Sequence, residues 1–115
     1  MREITIGEKQ VRVRATPLAL LYYKQEFGTD LVGDVVKLQA VEKDPSQIDS
    51  VVFLQMIWAM AKADAGPGNK FPSFYEWVSG LESFDITDQG LIGAIMEEAA
   101  DGFFRGTKQG QRRQK

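Results

Sequence analysis

Residues 51–61 read VVFLQMIWAMA, and the fold turns on what this stretch is. Only Gln55 interrupts it, and it is far shorter than the roughly 20 residues that a membrane-spanning helix requires. At helical spacing Val51, Val52, Phe53, Leu54, Met56, Ile57, Trp58 and Met60 leave almost no polar face. A helix that is apolar nearly all round is a central one, around which other elements must pack. The pattern predicts it over about 48–64. The preceding EKDPSQ (42–47) breaks any earlier helix, because a residue before proline is pushed out of the helical region, and Asp44 or Ser46 is the expected cap.

Working outward from this centre, the elements on both sides are short and punctuated. Upstream, Thr16-Pro17 is a helix start, with a hydroxyl cap before a proline whose missing N–H costs nothing, and Gly28 is its stop. Leu18, Leu21, Tyr22 and Gln25 share one side of that helix, with Leu20, Tyr23 and Phe27 beside them. A second helix begins from Thr29 or Asp30 and carries Leu31, Val35, Leu38 and Val41, widened by Val32 and Val36. Before both, Ile4 and Ile6, then Val11 and Val13, alternate with polar residues across GEKQ (7–10), which predicts a β-hairpin with one apolar face. Such a hairpin is marginal alone and must pack on the helices.

Downstream, AGPGNK (65–70) is the clearest loop. FPSFYEWVSGLESF (71–84) reads as a shorter helix with Pro72 near its start and Phe74, Trp77, Val78 and Leu81 along a side. DITDQG (85–90) offers Thr87 or Asp88 as cap for a last helix with Ile92, Met96, Ala99 and Phe103 at helical spacing, and Glu97, Glu98 and Asp101 facing elsewhere. The expectation is an α+β, mainly α fold: an N-terminal β-hairpin packed on a compact bundle of about five helices. It forms a single globular domain over 1–105, followed by a flexible basic tail over 106–115.

Composition agrees with one domain. The chain has 115 residues, 43% hydrophobic and 26% charged, and at this length a fold buries roughly two-thirds of the surface its unfolded chain exposes. The N-terminus has no apolar h-region, so no signal peptide is read there, and the chain is expected to be soluble. It contains neither cysteine nor histidine, which excludes thiol redox chemistry, a histidine general base and the usual N/S zinc sites. The sixteen carboxylates form no recognisable acid–base pair; Glu97-Glu98 is read as a solvated helix face. The AGPGN glycines lack the lysine and hydroxyl of a phosphate loop, and Asp85, Thr87 and Asp88 are better explained as a cap than as a calcium loop.

Two groups of residues stand out as partner-binding candidates. Phe71, Phe74, Tyr75 and Trp77 fall within seven residues after the loop, and aromatics are enriched at interaction hot spots. Trp77 and Phe74 are assigned mainly to the core, Phe71 and Tyr75 mainly to the surface. Phe103 and Phe104 cannot both face one core direction at adjacent helical positions. The tail, FFRGTKQGQRRQK (103–115), carries Arg105, Lys108, Arg112, Arg113 and Lys115. Net charge is −2, and the four cations of the last nine residues leave about −6 on the rest. Charge is segregated into an acidic body and a basic tip.

In order and in local phrasing, EITIGEKQVRVRAT (3–16), PLALLYYKQEFGTDL (17–31), VVFLQMIWAMAKADAG (51–66) and FPSFYEWVSGLE (71–82) resemble the tail assembly chaperones of long-tailed bacteriophages and prophages of Gram-positive hosts. The resemblance spans about 4–104. It implies a protein of the host bacterial cytoplasm, with no cofactor and no turnover. Its partner would be the long helical tape measure protein, kept from aggregating until the tail tube assembles. Many members of that family have a longer form made by ribosomal frameshifting, whose added part is thought to recruit tail tube subunits. The basic tail would then be the end of a short form, and self-association into rings or filaments fits the same role. The rival reading is a small nucleic-acid-binding regulator using the basic tail, with Arg12 and Arg14 on the hairpin. An acidic body and the lack of a recognition-helix motif count against nucleic acid.

Overall fold

The structure is a computed structural model and describes residues 1–104. Strands β1 (Arg2–Ile6) and β2 (Lys9–Val13) pair antiparallel, with Ile4 opposite Val11 and Ile6 opposite Lys9. The two-residue connection has Gly7 at φ 61° and a negative φ at Glu8, the signature of a type II′ turn, which matches the twist of the flanking strands. Gly7 is required twice over, because a Cβ there would also lie 2.2 Å from the Ser83 hydroxyl. Alternation puts Ile4, Ile6, Val11 and Val13 on one buried face.

Five helices follow. α1 (Pro17–Phe27) starts with Pro17 after Thr16, whose hydroxyl does not make the expected cap hydrogen bond, and ends at Gly28, whose left-handed φ of 78° lets its N–H return to the Lys24 carbonyl. α2 (Leu31–Val41) is capped by the Asp30 carboxylate, which accepts from the Val32 N–H. After a 3-10 turn at Pro45–Gln47, α3 (Ser50–Ala65) forms the centre. α4 (Phe74–Ser79) is fixed by a capping box in which Ser73 and Glu76 satisfy each other's backbone N–H groups. α5 (Gln89–Phe103) is capped by Asp88. The result is the expected mainly helical α+β globule, its hairpin packed on five helices, four of them substantial. No helix of the described residues is long and apolar enough to cross a membrane.

α3 is buried over nearly its whole circumference, at Phe53, Met56, Ile57, Trp58, Ala59, Met60, Ala61 and Ala63. It packs against α1, β2 and α4, while α5 lies against β1 and α2. The indole of Trp58 is 1% exposed, and its Nε1 donates to the Pro72 carbonyl at 3.0 Å, so the one polar atom of this large side chain has a partner. Around it Phe27, Phe71 and Phe74 make edge-on ring contacts at 5.6, 6.5 and 6.1 Å.

Three further expectations need correction. α3 begins two residues later than predicted, because Asp44 caps the 3-10 turn and the Asp49 carboxylate accepts from the Val51 and Val52 N–H groups. Ile48, expected to be helical, is extended and buried instead. Leu21 and Val36 are each 51% exposed, and Val51 is 54% exposed. In α1 the line that meets the core is Ala19, Tyr23 and Phe27, at i, i+4 and i+8, which turns Leu21 outward. The helical part of 71–84 is also short: Phe71 and Pro72 precede it, with the Pro72 carbonyl used by Trp58.

Trp58→Ala should remove about 3–5 kcal/mol of stability in denaturant unfolding, the range for emptying a large aromatic site. Leu21→Ser should stay within about 0.5 kcal/mol of the parent, since nothing buried is lost. Tyr23 gives a pH signature. Burial pushes its phenol above the ordinary value of 10.0, and the Asp34 carboxylate, which accepts the hydroxyl at 2.8 Å, adds to the shift. A raised folded-state pKa stabilises fully below about pH 10 and is lost as pH climbs toward the folded value. Alkaline unfolding followed by circular dichroism should therefore set in above about pH 10, and Tyr23→Phe should move that onset to higher pH.

Candidate partner-binding surface

The structure divides the sequence-derived candidates into three groups. Trp77 is 5% exposed and stacks on Phe74 at 6.5 Å, so it belongs to the core and is not a free contact residue. Phe74 is half-buried and joined to Phe27 at 5.1 Å. Phe71 is half-buried, and Tyr75 is 76% exposed, the most exposed large apolar residue described. The α4 turn explains the split: Phe74, Trp77 and Val78 occupy the inward side at i, i+3 and i+4, which forces Tyr75 out. Phe103 and Phe104 correct the expectation that only one of them meets the core and the other a partner: both are half-buried and both pack against the core, Phe104 because it ends the helix with non-helical backbone. Among the described residues no ring contact links them to the Phe71–Trp77 group. Arg105, Lys108, Arg112, Arg113 and Lys115 lie outside the described residues.

Beside Phe71 runs a groove of about 400 Å³ between the outer side of β2 and the end of α3, lined by Val11, Arg12, Ala61, Asp64, Phe71 and Trp77. A smaller hollow of about 250 Å³ lies between α2 and the start of α3. Its carboxylates already serve the fold: Asp34 accepts from Tyr23 and Thr29, and Asp49 caps α3. Among the described residues no group of three or more histidine, cysteine, aspartate or glutamate side chains could hold a metal ion.

Two polar clamps fasten the hairpin to the helices. Asp64 on α3 meets Arg12 Nε at 3.2 Å and Arg14 Nε at 3.3 Å. The two arginines considered for phosphate binding thus share a carboxylate inside the molecule. Arg2 meets Glu97 at 3.2 Å, Asp101 at 3.0 Å and Glu98 at 3.4 Å. The Glu98 contact is an ion pair without hydrogen-bond geometry, since Arg2 Nε is buried and has no hydrogen-bond partner.

Glu98 corrects the reading of a solvated helix face. It is 6% exposed and accepts the Ala15 backbone N–H at 2.9 Å, with the Met1 amino group 3.6 Å away. One turn on, Gly102 touches the same junction, where an added Cβ would come within 2.1 Å of the Ala15 carbonyl oxygen. The spacing held the signal: Leu91, Ile95 and Glu98 stand at i, i+4 and i+7, so Glu98 interrupts an apolar line and does not belong to the polar face.

No protein-family model, curated protein or solved structure matches the chain.

Glu98→Ala should cost about 3 kcal/mol, because it strands the Ala15 N–H and the buried edge of Arg2. Glu98→Gln keeps an acceptor for Ala15 and should cost less than half as much. Equal midpoints for the two variants in urea unfolding would show that the carboxylate does not anchor the hairpin.

Proposed function

We propose that this chain is a phage tail assembly chaperone that binds the tape measure protein and prevents its aggregation during tail morphogenesis in the host cytoplasm. The observation that carries the proposal is the exposure of Tyr75 on α4, at 76%, with Phe71 half-buried four residues earlier in the chain. The resemblance in element order and local phrasing over about 4–104 supports the same reading. In this reading the body works as a binding module without cofactor or turnover. Amphipathic helices of the client lay their i, i+3, i+4 and i+7 side chains on the aromatic strip. The site can be weak singly, because many copies on one long client gain by multivalency. A longer frameshifted form would bring tail tube subunits to the same client.

The nucleic-acid reading has less support. Arg12 and Arg14 are paired with Asp64, and residues 1–104 hold nine lysines and arginines against sixteen aspartates and glutamates, a balance that repels phosphate.

The test is co-expression of the tagged chain with the products of its neighbouring genes, followed by pull-down and mass spectrometry. Recovery of a very long helical protein that is insoluble when expressed alone is the expected result. Tyr75→Ala should lower the fraction of client kept in solution while leaving the unfolding midpoint within a few degrees, with binding weakened roughly fivefold or more. Recovery of nucleic acid that washes off in moderate salt, with no such client, would replace this reading by the regulator.

A further inference from the structure

In an antiparallel pair, alternate residues turn their backbone groups away from the partner strand. Just past β2, the Arg14 N–H points outward in this sense and reaches the Met60 carbonyl at 3.0 Å. Gln10 and Arg12 share that parity, as does the two-residue turn, which makes Ile6 and Lys9 the bonded pair. Among the described residues the outward N–H and C=O groups of Gln10 and Arg12 have no backbone partner. This bare edge borders the 400 Å³ groove floored by Ala61, Phe71 and Trp77. An open strand edge beside an apolar hollow is what strand addition uses: main-chain hydrogen bonds give affinity, and a pocket selects alternate side chains.

Charge decides the kind of strand. The described body carries an excess of seven acidic residues, whereas the groove lining is balanced, with Lys9 and Arg12 against Glu3 and Asp64, and Arg14 adds a third cation beside Asp64. Arg12 and Arg14 share the single carboxylate of Asp64. Lys9 lines the groove and forms no ion pair among the described residues. Glu3 is the only other carboxylate on the lining. An acidic segment is attracted here and repelled by most of the remaining surface. The other strand edge runs past Thr5, which shares a hollow with Asp85 and Asp88, and lacks this advantage.

We propose that the edge of β2 from Gln10 to Arg12 binds an extended acidic segment of a partner protein by strand addition, seating one large apolar side chain between Phe71 and Trp77. The proposal holds whether or not the partner is a tape measure protein.

The probe is a capped pentapeptide with valine, phenylalanine and valine between two glutamates, compared with a counterpart carrying lysines at both ends. Each is titrated into the isotope-labelled full chain by NMR, with amide exchange measured at saturation. The acidic peptide should bind about tenfold more tightly than the basic one and should protect the Gln10 and Arg12 amides from exchange. Gln10→Pro removes an outward donor while leaving the hairpin's own bonds, and should weaken binding about tenfold. Lys9→Glu tests charge without touching the backbone and should reverse the preference between the peptides. Absence of binding, equal affinity for both peptides, or unprotected Gln10 and Arg12 amides would each overturn the proposal. Each of these outcomes leaves the tail-assembly reading standing, because that reading rests on Tyr75 and not on the β2 edge.

Discussion

A helix without a polar face has to be covered on every side, and the rest of this structure answers that requirement. α3 cannot be satisfied by one neighbour, so α1, β2 and α4 close around it. Trp58 makes the demand specific. Its ring needs aromatic or aliphatic cover from several directions, and its Nε1 needs an acceptor, which the Pro72 carbonyl supplies. That bond explains why the chain stays extended through Phe71 and Pro72 before α4 can begin. The loop from 66 to 73 thus takes its path from an indole, and α4 is short because its entry point is already set.

Apolar cover is non-directional, and a two-stranded hairpin could slide over such a core. The charged contacts give it a position. Asp64 engages Arg12 and Arg14 from α3, while Glu97, Glu98 and Asp101 engage Arg2 from α5. One strand is tied to each of the two helices beneath it. Glu98 is the member with structural leverage, because it is buried and also accepts the Ala15 N–H where β2 passes into α1. Removing one partner of a buried pair costs far more than the intact pair contributes, so these contacts act mainly as locators.

The features legible in the sequence were those with a local cause. The hairpin followed from alternation about GEKQ, the ends of α1 from Thr16-Pro17 and Gly28, and the start of α5 from Asp88. The centrality of α3 followed from its lack of a polar face. What escaped was decided at a distance. Asp44 and Asp49 are both competent caps, and the burial of Ile48 between them selects Asp49 for α3. Leu21 sits on an apolar stripe in sequence, but α1 is rotated so that Tyr23 reaches Asp34. At the candidate surface, Tyr75 was recognisable from its offset to Trp77 and Phe74. The β2 edge was not, since an open edge is visible only once its neighbours are known to be elsewhere.

The modest size of the aromatic surface fits a client that is long and repetitive better than one that is compact. Tyr75, on a six-residue helix, and Phe71 before it offer a small contact area, too little by itself for a tight one-to-one complex. Along a repetitive helical partner the same contact recurs, and a second copy binds beside the first at high effective concentration, which raises avidity by orders of magnitude without new contacts. The acidic body then has a use of its own. In the proposed role its excess of seven acidic residues would oppose collapse onto nucleic acid while leaving short-range aromatic contact unaffected. In that role, weak apolar binding would let a client be covered and later uncovered, one weak contact at a time, as tube subunits displace the copies.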